Sequence, residues 1–315
     1  MSSVKIITEE MARTAVTPSD AFKAVRAVFR ATASGNARSF PVTREKLIEQ
    51  SALFGFKSGF DFENQLLGLK AGGYWSENAS NGLDNHQSSV LLFEPSTGQL
   101  KAVVSGNYLT SVRTAAAAAN SIDILAKPDA RTLSIVGAGK QAEPHIRAAL
   151  DVRDFQSIVI SNRTKSRAEH LAKRLSDLDQ EVAVSEIKDC VSSADVLITI
   201  ASSHAPLVEK AWVRPGTHIA AMGTDTIGKM ELSPDLVLHA SVFTDDVVQS
   251  VQLGEAQHAV KAGAVSEKDI TLLGAVLNRD AKGRQSPEDV TLYDGTGIGL
   301  QDLAVADLAL KSAHS

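Results

Sequence analysis

At 315 residues, with a formal net charge of −5 and acidic and basic side chains mixed along its length, the chain is long enough for two packed domains and has no basic stripe to track a phosphate backbone. Its one cysteine, Cys190, excludes an internal disulfide and has no Cys or His cluster beside it to make a metal or redox site. No apolar run approaches membrane-spanning length, and Glu9, Glu10 and Arg13 stand where a signal peptide would be apolar, so a cytoplasmic protein with no metal, no membrane and no nucleic-acid partner is expected.

Thr17-Pro18-Ser19-Asp20 offers an N-cap, a proline at the first helical position and an acid in the first turn, and Phe22, Val25, Val28 and Phe29 follow on one helical face. From about Leu53 to Ser105 the texture changes to short strand-like runs. Leu66–Leu69, Ser89–Phe93 and Leu100–Val104 predict an antiparallel sheet, the last two joined by the turn Glu94-Pro95-Ser96-Thr97-Gly98. Arg113 to Lys127 reads as an alanine-rich helix suited to close packing and to linking two domains. Strand candidates then alternate with helical segments: Thr132–Val136, Ser157–Ser161, Glu181–Val184, Val196–Ile200, His218–Met222 and Val242–Thr244. That alternation predicts an α/β fold, a Rossmann-type doubly wound parallel sheet beside an α+β domain. A last helix spans Gly299 to Lys311, with Leu303, Ala306 and Leu310 on one face, and is expected to return to the first domain. The expected division is 1–118 with 300–315 for substrate binding and dimerisation, and 119–299 for the dinucleotide.

Leu133 to Val136 leads into Gly137-Ala138-Gly139-Lys140-Gln141-Ala142, a strand, a glycine turn and a helix start. Small residues there allow a tight turn, close approach of a pyrophosphate to backbone amides and tight helix packing, and the helix N-terminus faces the negative charge. Thr199 and Met222, at the ends of two later strands, join the expected cofactor contacts. After the second strand, Ser161-Asn162-Arg163-Thr164 stands where a NAD site usually carries an acid. Arg163, helped by Lys165 or Arg167, suits a 2′-phosphate and tilts the expectation from NAD towards NADP; the alternative is a solvated residue at a helix start.

Outside that region lie Arg44, Lys57, Lys70 and Arg113, three of them expected at strand or helix ends, and together they would suit a small acidic substrate. Taken singly, each is equally a surface cation. Asp225 follows the fifth parallel strand, at the sheet edge where α/β folds bind ligands; it is either a proton donor and acceptor beside a nicotinamide or a helix cap. His86, ahead of a strand, either orients substrate or is an ordinary turn histidine. Asp294-Gly295-Thr296-Gly297-Ile298-Gly299 either lets backbone approach a cofactor or forms a flexible turn.

These segments resemble the ornithine cyclodeaminase and mu-crystallin family over nearly the whole chain. The resemblance is carried by Gly68-Leu69-Lys70, Tyr108 to Ala117, Gly137 to Ala142, Gly223-Thr224-Asp225 with Gly228-Lys229, and Gly297 with Gln301-Asp302-Leu303. It implies a homodimer built through the first domain's sheet and chemistry at an amine or imine carbon next to a carboxylate. Carried over by motif, Arg44, Lys70 and Arg113 would hold the substrate carboxylate, and Asp225 would handle protons. Thr114, Gln141 and Asn162-Arg163 would touch the dinucleotide.

Within the family, Gly55 to Asp61, Gly68 to Trp75 and Asn85 to Ser88 look most like members that reduce iminosuccinate to L-aspartate, with Lys57 or His86 serving the second carboxylate. Asn162-Arg163-Thr164 instead resembles NADP-binding members. The expected activity is therefore an NAD(P)H-dependent reduction of a small imino acid, with Asp225, Lys70 and Arg113 catalytic. Cyclodeamination of ornithine, alanine dehydrogenation, reduction of cyclic imine carboxylates and non-catalytic NADPH binding remain alternatives.

Overall fold

In the computed structural model, which describes residues 4–313, the Thr17 hydroxyl accepts the Asp20 backbone N–H while the Asp20 carboxylate accepts that of Thr17. The helix at Pro18 thus opens on a reciprocal cap, with Val25, Val28 and Phe29 on its buried side. The chain divides into two units, one running to Arg113 and resuming at Ile298, the other Thr114–Gly297. Residues 1–3 and 314–315 of the first expected domain lie outside the described residues.

The first unit runs β1 (Lys5–Ile7), α1 (Glu9–Ala15), α2 (Pro18–Ala33), β2 (Ala37–Ser39), β3 (Thr43–Leu47), β4 (Ala52–Asp61), β5 (Leu66–Trp75), β6 (His86–Phe93) and β7 (Leu100–Ser105). It then enters α3 (Asn107–Leu125), which carries the chain into the second unit. The sheet order is β1-β7-β6-β5-β4-β2, with β3 also paired to β4. All neighbours are antiparallel except β1 and β7. The sheet has more strands than the three apolar runs predicted. Phe54, Phe56 and Phe60 alternate along β4, but the face it buries carries Gly55, Lys57, Gly59 and Asp61, so the apolar stripe of one of the sheet's two longest strands lies on the less buried side.

One face of β4 and β5 is covered by the C-terminal helix, Gly299–Ser312, whose Leu300 and Leu303 lie over Gly59 and Gly68. Only glycine fits at the start of this helix: a Cβ on Gly299 would sit 2.8 Å from the Lys57 carbonyl carbon. The opposite face turns Phe54 and Phe56 outward, 38% and 41% exposed.

The second unit alternates strand and helix: β8 (Thr132–Val136), α4 (Ala142–Leu150), β9 (Ser157–Ser161), α5 (Lys165–Arg174), β10 (Glu181–Val184), α6 (Ile187–Ser193), β11 (Val196–Thr199), β12 (His204–Val208), β13 (His218–Ala221), β14 (Met230–Leu232), α7 (Pro234–His239) and β15 (Ser241–Thr244). It closes with α8 (Val247–Leu253), α9 (Ala256–Lys261), β16 (Ile270–Leu272), α10 (Leu273–Asn278) and β17 (Thr291–Asp294). Eight strands form one parallel sheet in the order β10-β9-β8-β11-β13-β17-β15-β16, while β12 and β14 pair separately. This is the doubly wound α/β sheet expected. The chain leaves β8 in one direction to β9 and β10 and returns on its other side at β11, which puts the switch of strand order beside the Gly137 turn. Leu133, Ile135, Leu197, Ile198 and Leu292 are fully buried, each contributing roughly 2 kcal/mol of hydrophobic stabilisation.

Candidate functional site

The first unit gathers cations on a buried sheet face. In the β4–β5 register Lys57 lies directly opposite Lys70, and directly opposed residues share a face. Both are mid-strand, 7% and 8% exposed. Arg113 is likewise mid-helix, because α3 begins six residues before the expected start. The expectation that such residues adjoin element ends is corrected: they are built into the rigid scaffold. Arg44 lies one row further along, on β3 opposite Gly55 of β4, which is in turn opposite Gly72 of β5. With no side chain at either glycine, the ground between Arg44 and Lys70 is bare backbone.

One acidic residue organises the cluster. Asp302, in the first turn of the C-terminal helix and fully buried, receives the Lys70 ammonium and the Arg113 Nε on the same oxygen, Oδ1, at 2.9 Å each. Arg113 also donates to Gln301 Oε1 at 3.1 Å, and Lys70 reaches the Thr110 hydroxyl at 3.4 Å. Asp302 Oδ2 is buried with no hydrogen-bond partner among the described residues. Burial alone would raise the Asp302 carboxyl, but the charges of Arg113, Lys70 and Lys57 outweigh it and hold it below the ordinary carboxylate range. Burial pulls Lys70 down to about 8 against the attraction of Asp302, with Arg113 and Arg44 adding to the fall. A lysine tuned in this way can hold a carboxylate and can give up a proton near neutral pH.

His86 is the first residue of β6, not a residue before it, and pairs with Tyr74. Four residues along β6 from Val90, the partner of Lys70, it stands about 13 Å down the strand from that row. The structure therefore brings Arg44, Lys57, Lys70 and Arg113 together and leaves His86 at the rim.

In the second unit, Gly137 has φ +121, and its N–H donates to Ser161 O at 2.8 Å, which ties the turn to the end of β9. The Asn162 side chain adds to that tie: its Oδ1 accepts the Ala138 N–H at 3.1 Å and its amide donates to Thr164 O at 2.9 Å. Gly139 and Lys140 are exposed ahead of α4, and a Cβ on Gly139 would enter open space. A glycine turn with open room at a helix N-terminus fits a dinucleotide pyrophosphate. Gln141 is half-buried just before α4; Arg163 and Thr164 are exposed ahead of α5; Thr114 is half-buried midway along α3. Thr199 ends β11 and Met222 directly follows the neighbouring β13, the two joined by the Met222 N–H to Thr199 O bond, but the Thr199 hydroxyl is directed at Glu231, 2.9 Å away.

Asp225 lies in the loop between β13 and β14, where no helix begins, which removes the helix-cap alternative. Its Oδ1 receives the Lys229 ammonium at 2.9 Å. Beneath this loop lie Glu231 and Glu255, both buried. Burial and the neighbouring Glu255 push Glu231 up to about 8, and burial raises Glu255 also. Sequence reading missed these two acids and Asp302. Only Asp302 had a signal, in the Gln301-Asp302-Leu303 segment. Among the described residues no group of His, Cys, Asp and Glu could hold a metal ion, and no helix is long and apolar enough to cross a membrane.

Residues 3–315 match the profile of the ornithine cyclodeaminase/mu-crystallin family. The chain is 46% identical over 308 residues to iminosuccinate reductase of Paracoccus denitrificans, covering 98% of this chain and 96% of the relative. It is 30% identical over 313 residues to alanine dehydrogenase of Archaeoglobus fulgidus, covering 98% and 95%. Its fold superposes on the crystal structure of the Paracoccus denitrificans iminosuccinate reductase in complex with NAD+ with a TM-score of 0.93, covering 99% of this chain and 96% of that one at 46% identity.

Proposed function

The chain belongs to the ornithine cyclodeaminase/mu-crystallin family, and from that premise we propose that it is an NAD(P)H-dependent imine reductase converting iminosuccinate to L-aspartate. The observation that carries the substrate is the opposed pair Lys57 and Lys70, buried together beside Arg113. Like charges placed across a strand pair destabilise a sheet, and a ligand bearing two carboxylates offsets that cost when it binds.

In this reading Arg113 and Lys70 hold the carboxylate next to the imine, and Asp302 holds both cations in place. Lys57, with Arg44, takes the second carboxylate. A reduced nicotinamide, when bound, supplies the hydride that the imine carbon accepts. Asp225 manages protons at the imine nitrogen, which must be protonated to draw the hydride; the neutral amine that hydride addition leaves takes up one more proton to become the ammonium of the amino acid. Holding the two carboxylates fixes the imine plane, and positioning of that kind supplies much of the rate.

We assign the dinucleotide to the second unit, at Gly137 to Gln141, and substrate binding to the first. NADPH should be accepted alongside NADH, because Asn162-Arg163 replaces the acid that would repel a 2′-phosphate. We place a second copy of the chain against the sheet face that exposes Phe54 and Phe56, since large apolar side chains exposed on a sheet face favour association. A cytoplasmic setting suits the single cysteine, buried at Cys190.

The test is net oxidation of added NADH or NADPH by iminosuccinate with formation of L-aspartate. Turnover only with pyruvate and ammonia, only with cyclic imines, or ornithine cyclisation without net cofactor consumption would each replace this assignment. Saturable cofactor binding with no turnover on any imino acid would remove the enzyme reading.

A further inference from the structure

The loop carrying Asp225 is held from below at both of its ends. At its start, Glu231 Oε2 accepts the Gly223 N–H and the Thr199 hydroxyl, each at 2.9 Å, while Oε1 accepts the Ala201 N–H at 2.5 Å. Thus one carboxyl ties the exits of β11 and β13 together. Gly223 is what lets it approach, for a Cβ there would lie 2.5 Å from Glu231 Cδ and Oε1. Next to it, Glu255 accepts the Glu231 N–H at 2.8 Å, the Leu232 N–H at 3.1 Å and the Thr224 hydroxyl. At the loop's far end Gln257 Oε1 accepts the Gly228 N–H at 2.7 Å, and its amide reaches Lys229 O at 3.3 Å and Thr226 O at 3.4 Å. The frame is buried, whereas the middle of the loop faces solvent, with Ile227 74% exposed.

We propose that Glu231 and Glu255 are positioning residues for the reaction, their buried carboxyls clamping the Gly223–Lys229 loop so that Asp225 is presented in one place. The role rests on the imine-reductase reading, in which Asp225 handles the proton. Two carboxyls side by side in a core are costly, and a site that needed only filling would be served by apolar side chains. Each carboxyl here meets two backbone N–H groups and one hydroxyl. A hydroxyl can turn from donor to acceptor, so either carboxyl can take up a proton without losing a backbone bond. An amide has no such freedom. Glu231→Gln keeps the shape, yet in either orientation one of the Gly223 and Ala201 N–H groups faces an NH2.

The experiment compares wild type, Glu231→Gln, Gln257→Leu and, as a control of general destabilisation, Cys190→Ala, which opens a small cavity under α6 away from the loop. Gln257→Leu releases the far end of the loop with the carboxyl pair intact and serves if Glu231→Gln does not fold. Amide hydrogen exchange is read over residues 223–229, with NADH affinity by fluorescence and steady-state reduction of iminosuccinate. Both loop variants should exchange faster in 223–229 than wild type and Cys190→Ala, with kcat lower by roughly tenfold, the size of one lost buried hydrogen bond, and in Gln257→Leu, which leaves the exit of β11 intact, NADH affinity should be unchanged. Exchange at the wild-type rate in folded variants, or faster exchange with kcat intact, overturns the proposal. A wild-type enzyme that reduces no imino acid fails the functional reading instead, and the exchange rates still decide whether the carboxyls clamp the loop.

Discussion

Lys57 lies directly across the β4–β5 pair from Lys70, and both ammonium-bearing side chains are buried on that shared face. Such a pair repels itself in the free protein and so marks a place kept for anions. Lys57→Met removes the repulsion and one carboxylate partner at once. The expected result is an iminosuccinate KM raised roughly tenfold to a hundredfold, the range for a lost hydrogen bond to a charged group, with a smaller loss of stability than Asp302→Asn causes, since Lys57 is only one of the charges that hold Asp302. Steady-state kinetics with calorimetry reads both. A KM unchanged beside a large loss of stability would make Lys57 a structural residue.

With its pKa pulled to about 8, Lys70 sets a pH limit on substrate binding. It is charged below that value and loses its charge above it, so kcat/KM for a carboxylate substrate should fall as pH rises through about 8. Lys70→Arg, which stays charged, should move the alkaline limb upward. The stability effect has the opposite sign. Between about 8 and the ordinary lysine value of 10.5 the unfolded chain binds more protons than the folded one, so this group makes folding more favourable as pH rises through that window. A KM that is flat across the window would disprove the assignment.

Asp302 joins Lys70 and Arg113 on one oxygen, and removing its charge leaves two buried cations without their shared partner. Asp302→Asn should cost about 3 to 5 kcal/mol, the usual loss on breaking a buried ion pair by deleting one partner. The alkaline limb set by Lys70 should shift below pH 8, because the attraction opposing its deprotonation is gone. In wild type the held-down Asp302 pKa stabilises the fold above the ordinary carboxylate range, and that contribution is lost as pH falls through the lowered value. Denaturant titration and pH profiles of the two proteins decide the matter.

What was legible in the sequence is what lies close along the chain. The Thr17 cap needs residues three apart, and β8, β9 and β10 are bounded as their apolar runs indicate. β4 was missed although Phe54, Phe56 and Phe60 alternate in it, because Gly55, Lys57, Gly59 and Asp61 stand between and beside them and leave no apolar run of the kind β6 and β7 show. β17 was missed because its four residues are buried throughout and give no alternation. The four cations were named as candidates, but the register that opposes Lys57 to Lys70 exists only once the strands pair. Asp302 meets Lys70 across 232 residues, a relation no local pattern contains. Glu231 and Glu255 look like surface acids until the sheet closes over them.

Arg163 is exposed at the end of β9, beside the Asn162 side chain that ties that strand to the glycine turn. If it meets a 2′-phosphate, Arg163→Ala should weaken NADPH binding by roughly tenfold, as for one charge-assisted contact, and leave NADH binding as it is. Fluorescence titration with each nucleotide measures the ratio. Equal weakening of both would mean that Arg163 supports the turn and does not select the cofactor.

Asp225 is the one carboxylate of its loop, held at 2.9 Å from the Lys229 ammonium at a parallel-sheet edge suited to ligand binding. Asn at this position keeps the size and can still accept from Lys229, so the loop should hold its form. It cannot take up or release a proton at neutral pH. Asp225→Asn should therefore lower kcat by about a hundredfold, the lower end for loss of a general acid or base, while NADH affinity and substrate KM change little. Fluorescence titration with NADH and steady-state kinetics separate those quantities. A variant with wild-type kcat would show that the proton on the imine nitrogen is managed elsewhere, and the pairing with Lys229 would then be a device for holding the loop alone.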